Sequence, residues 1–133
     1  MKKHSTVVSV LVAALCLFAA SALAEEAKVN ALMTKDLAAV AGKEATMLLV
    51  QYPPGGATPK HRHNAQTFVY VLEGSIVMQV EGGKEVTLGP GQTFYESPED
   101  IHTVSKNASN TKPAKFLVFM VKQKDAPVLV PVQ

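Results

Sequence analysis

The chain has 133 residues, 47% of them hydrophobic, with 13 lysines and arginines against 11 aspartates and glutamates. That small imbalance excludes the basic stripe of a nucleic-acid-binding surface. A single cysteine excludes a disulfide framework and a cysteine-built metal knuckle.

Residues 1–24 read as an export signal. Lys2 and Lys3 give a positive start, Val7 to Ala20 a short apolar stretch, and Ala22-Leu23-Ala24 an A-x-A cleavage pattern before Glu25. The apolar stretch is shorter than the ~20 residues of a membrane-spanning helix. Leu15 stands before Cys16, where a lipid-attachment motif wants a small residue. The expectation is a periplasmic or secreted bacterial protein, free of the membrane once its signal is removed. Cleavage would leave 109 residues with 11 basic and 11 acidic side chains and no thiol. That length suffices for one domain with its own core. Three of the four histidines stay with it: His61, His63 and His102.

Residues 25–45 form an N-terminal arm in this reading. Val29, Leu32, Met33 and Leu37 have partly helical spacing, which fits either a short helix or an extended arm. From Thr46 the pattern changes to short β-type runs split by turn residues, and residues 46–133 read as the folded domain. TMLLVQY precedes PPGG, TFVYVL precedes EG, and SIVMQV precedes EGGK. EVTL, TFYES, HTVS and KFLVFMVK continue the series. Such runs at this repeat length predict an all-β antiparallel sandwich or barrel. Gly82-Gly83 supplies the positive φ of a hairpin turn between SIVMQV and EVTL. Ala126 to Gln133, with Pro127 and Pro131, reads as an extended tail.

His61 and His63 are two apart, so on a strand both project to one face. His102 opens a later run and is expected to meet them from across a small barrel. Three imidazoles suit Fe, Mn, Zn, Ni or Cu. One histidine alone would read as a hydrogen-bonded structural residue, but here all three fall into a single site. Arg62 between them should face solvent, and Met47, Met78 and Met120 sit on separate runs as core residues. Asn107-Ala108-Ser109 is formally a glycosylation sequon, of little weight behind a bacterial-looking signal.

These residues resemble the cupin superfamily. Its first motif runs glycine, five residues, H-x-H, three or four residues, glutamate, six residues, glycine. Gly55, His61, His63 and Gly74 stand at those spacings, and Gly91 and His102 match part of the second motif. The resemblance covers about Thr46 to Lys122. It implies a double-stranded β-helix, or jelly-roll, barrel and a divalent metal held by His61, His63 and His102. Many cupins also pair through edge strands, so a homodimer is expected.

The sequence departs from the family where the motif glutamate would be, because that position holds Thr67, preceded by Gln66. Gln66 is a candidate fourth ligand if the HNAQ loop bulges. Thr67, Tyr70 and Tyr95 are candidate site-lining residues. Glu96, Glu99 and Asp100, just before His102, read more readily as an acidic solvent loop than as partners of an imidazole. Two functions stay open. One is an exported metal-dependent enzyme, of dioxygenase or other oxidoreductase type, acting on a small organic anion. The other is a non-catalytic module that binds a small ligand or a metal ion.

Overall fold

The computed structural model describes residues 26–133, and the export signal expected over residues 1–24 lies outside them. Two antiparallel sheets face each other. The first has the order β1-β2-β10-β5-β8, from Lys28–Asp36, Lys43–Tyr52, Ala114–Gln123, Gln66–Glu73 and Thr93–Glu96. The second runs β11-β4-β9-β6-β7, from Val130–Pro131, His61–Arg62, His102–Asn107, Ile76–Val80 and Val86–Leu88, with β3 (Ala57–Thr58) also paired to β9. There is no helix among the described residues. This is the all-β arrangement that the spacing of runs predicts and the jelly roll that the cupin resemblance implies.

Alternation builds the core. Along β2, Glu44, Thr46, Leu48, Val50 and Tyr52 are buried and their neighbours are partly exposed. On β10, paired to it, Phe116, Val118 and Met120 point the same way. Val69 and Val71 from β5 meet Ile76 and Met78 from β6 across the barrel interior. Each such side chain contributes about 1.5–3 kcal/mol by leaving water.

Two turns show what the chain requires. Gly82 has φ +77°, and the amide of Gly83 closes the β6–β7 hairpin on the Val80 carbonyl at 2.9 Å. Gly74 ends β5 at φ +69°, where a Cβ would stand 2.5 Å from the Pro113 carbonyl oxygen. Only glycine meets both demands.

The N-terminal arm is a strand, not a helix. β1 lies antiparallel on β2 with a bulge between Ala31 and Met33. The open edge of β2 gives its amides and carbonyls partners, which a lone helix in water would not gain cooperatively. β2 itself starts at Lys43, three residues before Thr46.

Candidate metal centre

His61 ends one strand pairing and begins another: it faces His102 directly in the β4–β9 register. His102 thus comes from the adjacent strand of the same sheet, not from across the barrel. A bulge turns it inward. The β6–β9 register slips between Gln79 and Val80, so His102 and Ser105, three apart, both end up buried. On a regular strand they would face opposite sides. One ring nitrogen from each of His61, His63 and His102 lies within 4.8 Å of the others, a group that could hold a metal ion.

Hydrogen bonds fix the tautomers. Nδ1 of His61 donates to the Pro59 carbonyl at 2.7 Å, and Nδ1 of His63 to the Val128 carbonyl at 2.5 Å. A carbonyl can only accept, so both protons sit on Nδ1 and the Nε2 atoms carry lone pairs. Those two Nε2 atoms stand 3.2 Å apart. Burial pushes the His61 imidazolium down to about 4 and lowers that of His63 as well, although Glu96 opposes the shift at His63. Both rings are therefore neutral near pH 7. Two neutral acceptors face each other at contact distance, which is unfavourable unless a cation lies between them.

The third ring adds to this. Neither nitrogen of buried His102 has a hydrogen-bond partner. Phe94 stacks on it, with centroids 6.0 Å apart and planes 23° apart. The Oε2 atom of Glu96 lies 3.2 Å from His102 Nδ1 and 3.6 Å from His63 Nε2, yet it too lacks a hydrogen bond. Buried polar groups without partners cost several kcal/mol. These orphaned donors and acceptors fit a divalent metal, for which imidazole nitrogen and carboxyl oxygen are ordinary ligands.

The cluster opens on a cavity of about 90 Å³ inside the barrel. Val50, Met78 and Phe116 make apolar walls, and Val128 and Leu129 of the tail close one side. Tyr52 adds a polar edge: its hydroxyl bonds Thr58 Oγ1 at 2.5 Å and Ser105 Oγ at 2.7 Å. Burial raises the pKa of this phenol, so it stays protonated.

The structure separates the residues suggested by sequence. Thr67 is fully buried and faces inward, with its hydroxyl 3.4 Å from the Ala65 carbonyl. Gln66, Tyr70 and Tyr95 lie on the outer face, because strand alternation points them opposite Thr67 and Glu96. There the Tyr95 hydroxyl donates to Gln66 Oε1. Tyr70 and Tyr95 line an outer groove of about 570 Å³ with Phe68 and Phe119, without a histidine or carboxyl group in its walls. Arg62 is exposed, as its place between the histidines implies.

Glu96 is the residue the sequence reading undervalued. Glu99 is exposed and Asp100 accepts the Ser97 amide at 2.7 Å, as in a solvent loop. Glu96 instead ends β8 and is 2% exposed. The available signal was its two-residue spacing from Phe94, obscured by the acidic residues that follow. Tyr52, Thr58 and Ser105 were missed as well, since hydroxyl residues on strands carry no distinctive pattern. Asn107 of the sequon is buried, with its amide nitrogen donating to the carbonyls of Pro53 and Lys112.

Comparison with known proteins bears on the family and the fold. A family model described as a cupin domain matches residues 48–120. None of the curated proteins matches the chain. Among solved structures, an uncharacterized conserved protein with a double-stranded β-helix domain from Klebsiella pneumoniae is 17% identical with TM-score 0.63, covering 81% of this chain and 85% of its own. The DMSP lyase DddQ from Ruegeria pomeroyi DSS-3 is 23% identical with TM-score 0.57, over 66% of this chain and 43% of its own. An oxalate oxidase in complex with the substrate analogue glycolate is 25% identical with TM-score 0.56, over 66% of this chain and 46% of its own. The matched region thus spans less than half the length of the lyase and oxidase chains.

Proposed function

The chain belongs to the cupin family, and on that premise we propose that it is an exported metal-binding cupin acting on a small organic anion. His61, His63 and His102 hold one divalent ion in this reading. The observation that carries it is the 3.2 Å approach of two unprotonated Nε2 atoms, each fixed by a carbonyl behind its ring. Iron, manganese, zinc, nickel or copper bound there would supply Lewis acidity or redox chemistry.

The chain's own residues define what else enters. A cavity of about 90 Å³ admits a ligand of only a few heavy atoms. Much of its wall is apolar, and charge interactions strengthen where such surface replaces water. The hydroxyl set of Tyr52, Thr58 and Ser105 can hydrogen-bond one end of such a ligand. The similarity to an oxalate oxidase in complex with glycolate supports an anion of that size. Export rests on the signal-like residues 1–24.

Elemental analysis of protein recovered from the periplasm should find about one equivalent of transition metal, restored by soaking if lost. His61→Ala and His102→Ala should each weaken binding about 100-fold, near 3 kcal/mol, while far-UV circular dichroism stays that of a β-barrel. No metal in the wild-type protein after soaking sinks the proposal. Oxygen uptake with oxalate, glycolate and simple diketones then separates the two functions. Turnover identifies an enzyme, and bound metal without turnover on any of them identifies a binding module.

A further inference from the structure

The geometry points to Glu96 as a fourth protein ligand, a carboxylate supplied by β8 in place of the one missing from β5. This rests on the three-histidine reading and extends it. Thr67 occupies the position where the cupin motif has glutamate, and in the β5–β8 register its direct partner is Glu96. Both are buried, at 0% and 2% exposure, so both project into the barrel. Directly opposed side chains in an antiparallel pair have Cβ atoms about 4.5–5.5 Å apart. A carboxyl group can therefore reach the same interior point from either strand.

Three further observations favour Glu96 in that role. Its Oε2 atom is the one oriented to the imidazoles, 3.2 Å from one ring and 3.6 Å from another. That atom is buried with no hydrogen bond, so its approach to the two rings is not satisfied by the protein alone. Thr67 is short and its hydroxyl is directed to the Ala65 carbonyl, leaving the interior to Glu96. A glutamate at both positions would set two carboxylates against each other, which is destabilising. A neutral residue on β5 and an acid on β8 thus belong together. The bound ion would carry a net charge near +1 with its protein ligands, rather than the +2 of three imidazoles alone. Hard ions such as Mn²⁺ gain most from an oxygen donor.

The test compares wild type, Glu96→Gln and the exchange Thr67→Glu/Glu96→Thr, each stripped of metal and titrated with Mn²⁺, Cu²⁺ and Co²⁺. Glu96→Gln should weaken Mn²⁺ by more than the roughly tenfold that even a supporting carboxylate causes. Cu²⁺ should weaken less, and the visible spectrum of the Co²⁺ form should change. The exchange should recover Mn²⁺ affinity. The melting temperature of each metal-free protein controls for folding. Equal losses for Mn²⁺ and Cu²⁺ with an unaltered Co²⁺ spectrum would make Glu96 a positioning residue for His102 and overturn the assignment. Undiminished Mn²⁺ affinity in Glu96→Gln would overturn it too. A wild type that binds none of the three ions would instead remove the three-histidine reading beneath it.

Discussion

Lys122 and Glu44 bury opposite charges between β10 and β2, at 3% and 6% exposure, while Glu96, His63 and His102 bury a second polar group near the barrel's other sheet. The first cluster is complete. Lys122 Nζ donates to Glu44 Oε1, to the Ala126 carbonyl at 2.6 Å and to the Gln123 carbonyl at 3.5 Å. The second leaves three buried atoms without a hydrogen bond, one on Glu96 and two on His102. A protein that satisfies one buried charge so fully has the means to satisfy both. The unfinished cluster is what a ligand site looks like from the protein side, and the finished one is a fastening of the tail to the barrel.

The comparison breaks most sharply at Lys122. Lys122→Ala leaves Glu44 buried and unpaired, and should cost about 3–5 kcal/mol. Chemical denaturation measures that loss. Metal affinity of the folded fraction should not change, since Lys122 is not among the residues lining the cavity beside the three histidines. An equal loss of metal affinity would show that the two clusters are not independent.

Next comes pH, applied to the metal-free protein. Burial holds the folded pKa of His61 at about 4, below its ordinary 6.5, and lowers that of His63 in the same direction. The unfolded chain therefore binds more protons between those values. Stability should be whole above pH 6.5 and should decline by up to about 3 kcal/mol as pH falls toward 4. Melting temperatures across this window check it, and His61→Asn should flatten the slope. A flat profile in the wild type would mean the ring is charged or solvated when folded.

Smaller still, and opposite in sign, is the effect of Glu96→Leu on metal-free protein. Removing a buried carboxyl with an unpartnered oxygen should raise stability by about 1–2 kcal/mol. The same change at Glu44 should lower it. Unfolding curves for the pair sharpen the contrast, because only a group placed for a ligand should be better absent when that ligand is absent.

Much of this was legible from sequence because period-2 alternation is a local signal. The runs around TMLLVQY, TFVYVL and KFLVFMVK became β2, β5 and β10 within a few residues of their apparent ends. His61 and His63 were legible for the same reason. His102 was legible as a member of the histidine cluster but not in its position, because the β9 bulge that turns it inward is set by pairing with β6. The β1 strand looked partly helical since its pairing partner lies on another segment. Glu96 needed the β5–β8 register, which no single run contains.

The smallest expected effect tests that register. Gln66 and Tyr95 lie on the outer face and bond each other, one residue away in sequence from Thr67 and Glu96 on the inner face. A one-residue slip of β5 would bring Gln66 inward in place of Thr67, and one of β8 would bring Tyr95 inward in place of Glu96, since a slip moves every side chain of that strand to the other face. Gln66→Ala and Tyr95→Phe should therefore leave Mn²⁺ affinity within about twofold of wild type, against the loss of more than tenfold expected at Glu96. Each removes one exposed hydrogen bond and should cost about 1 kcal/mol or less. A Gln66→Ala variant that lost metal as Glu96→Gln does would put the amide inside the barrel, and the pairing of β5 with β8 would have to be redrawn.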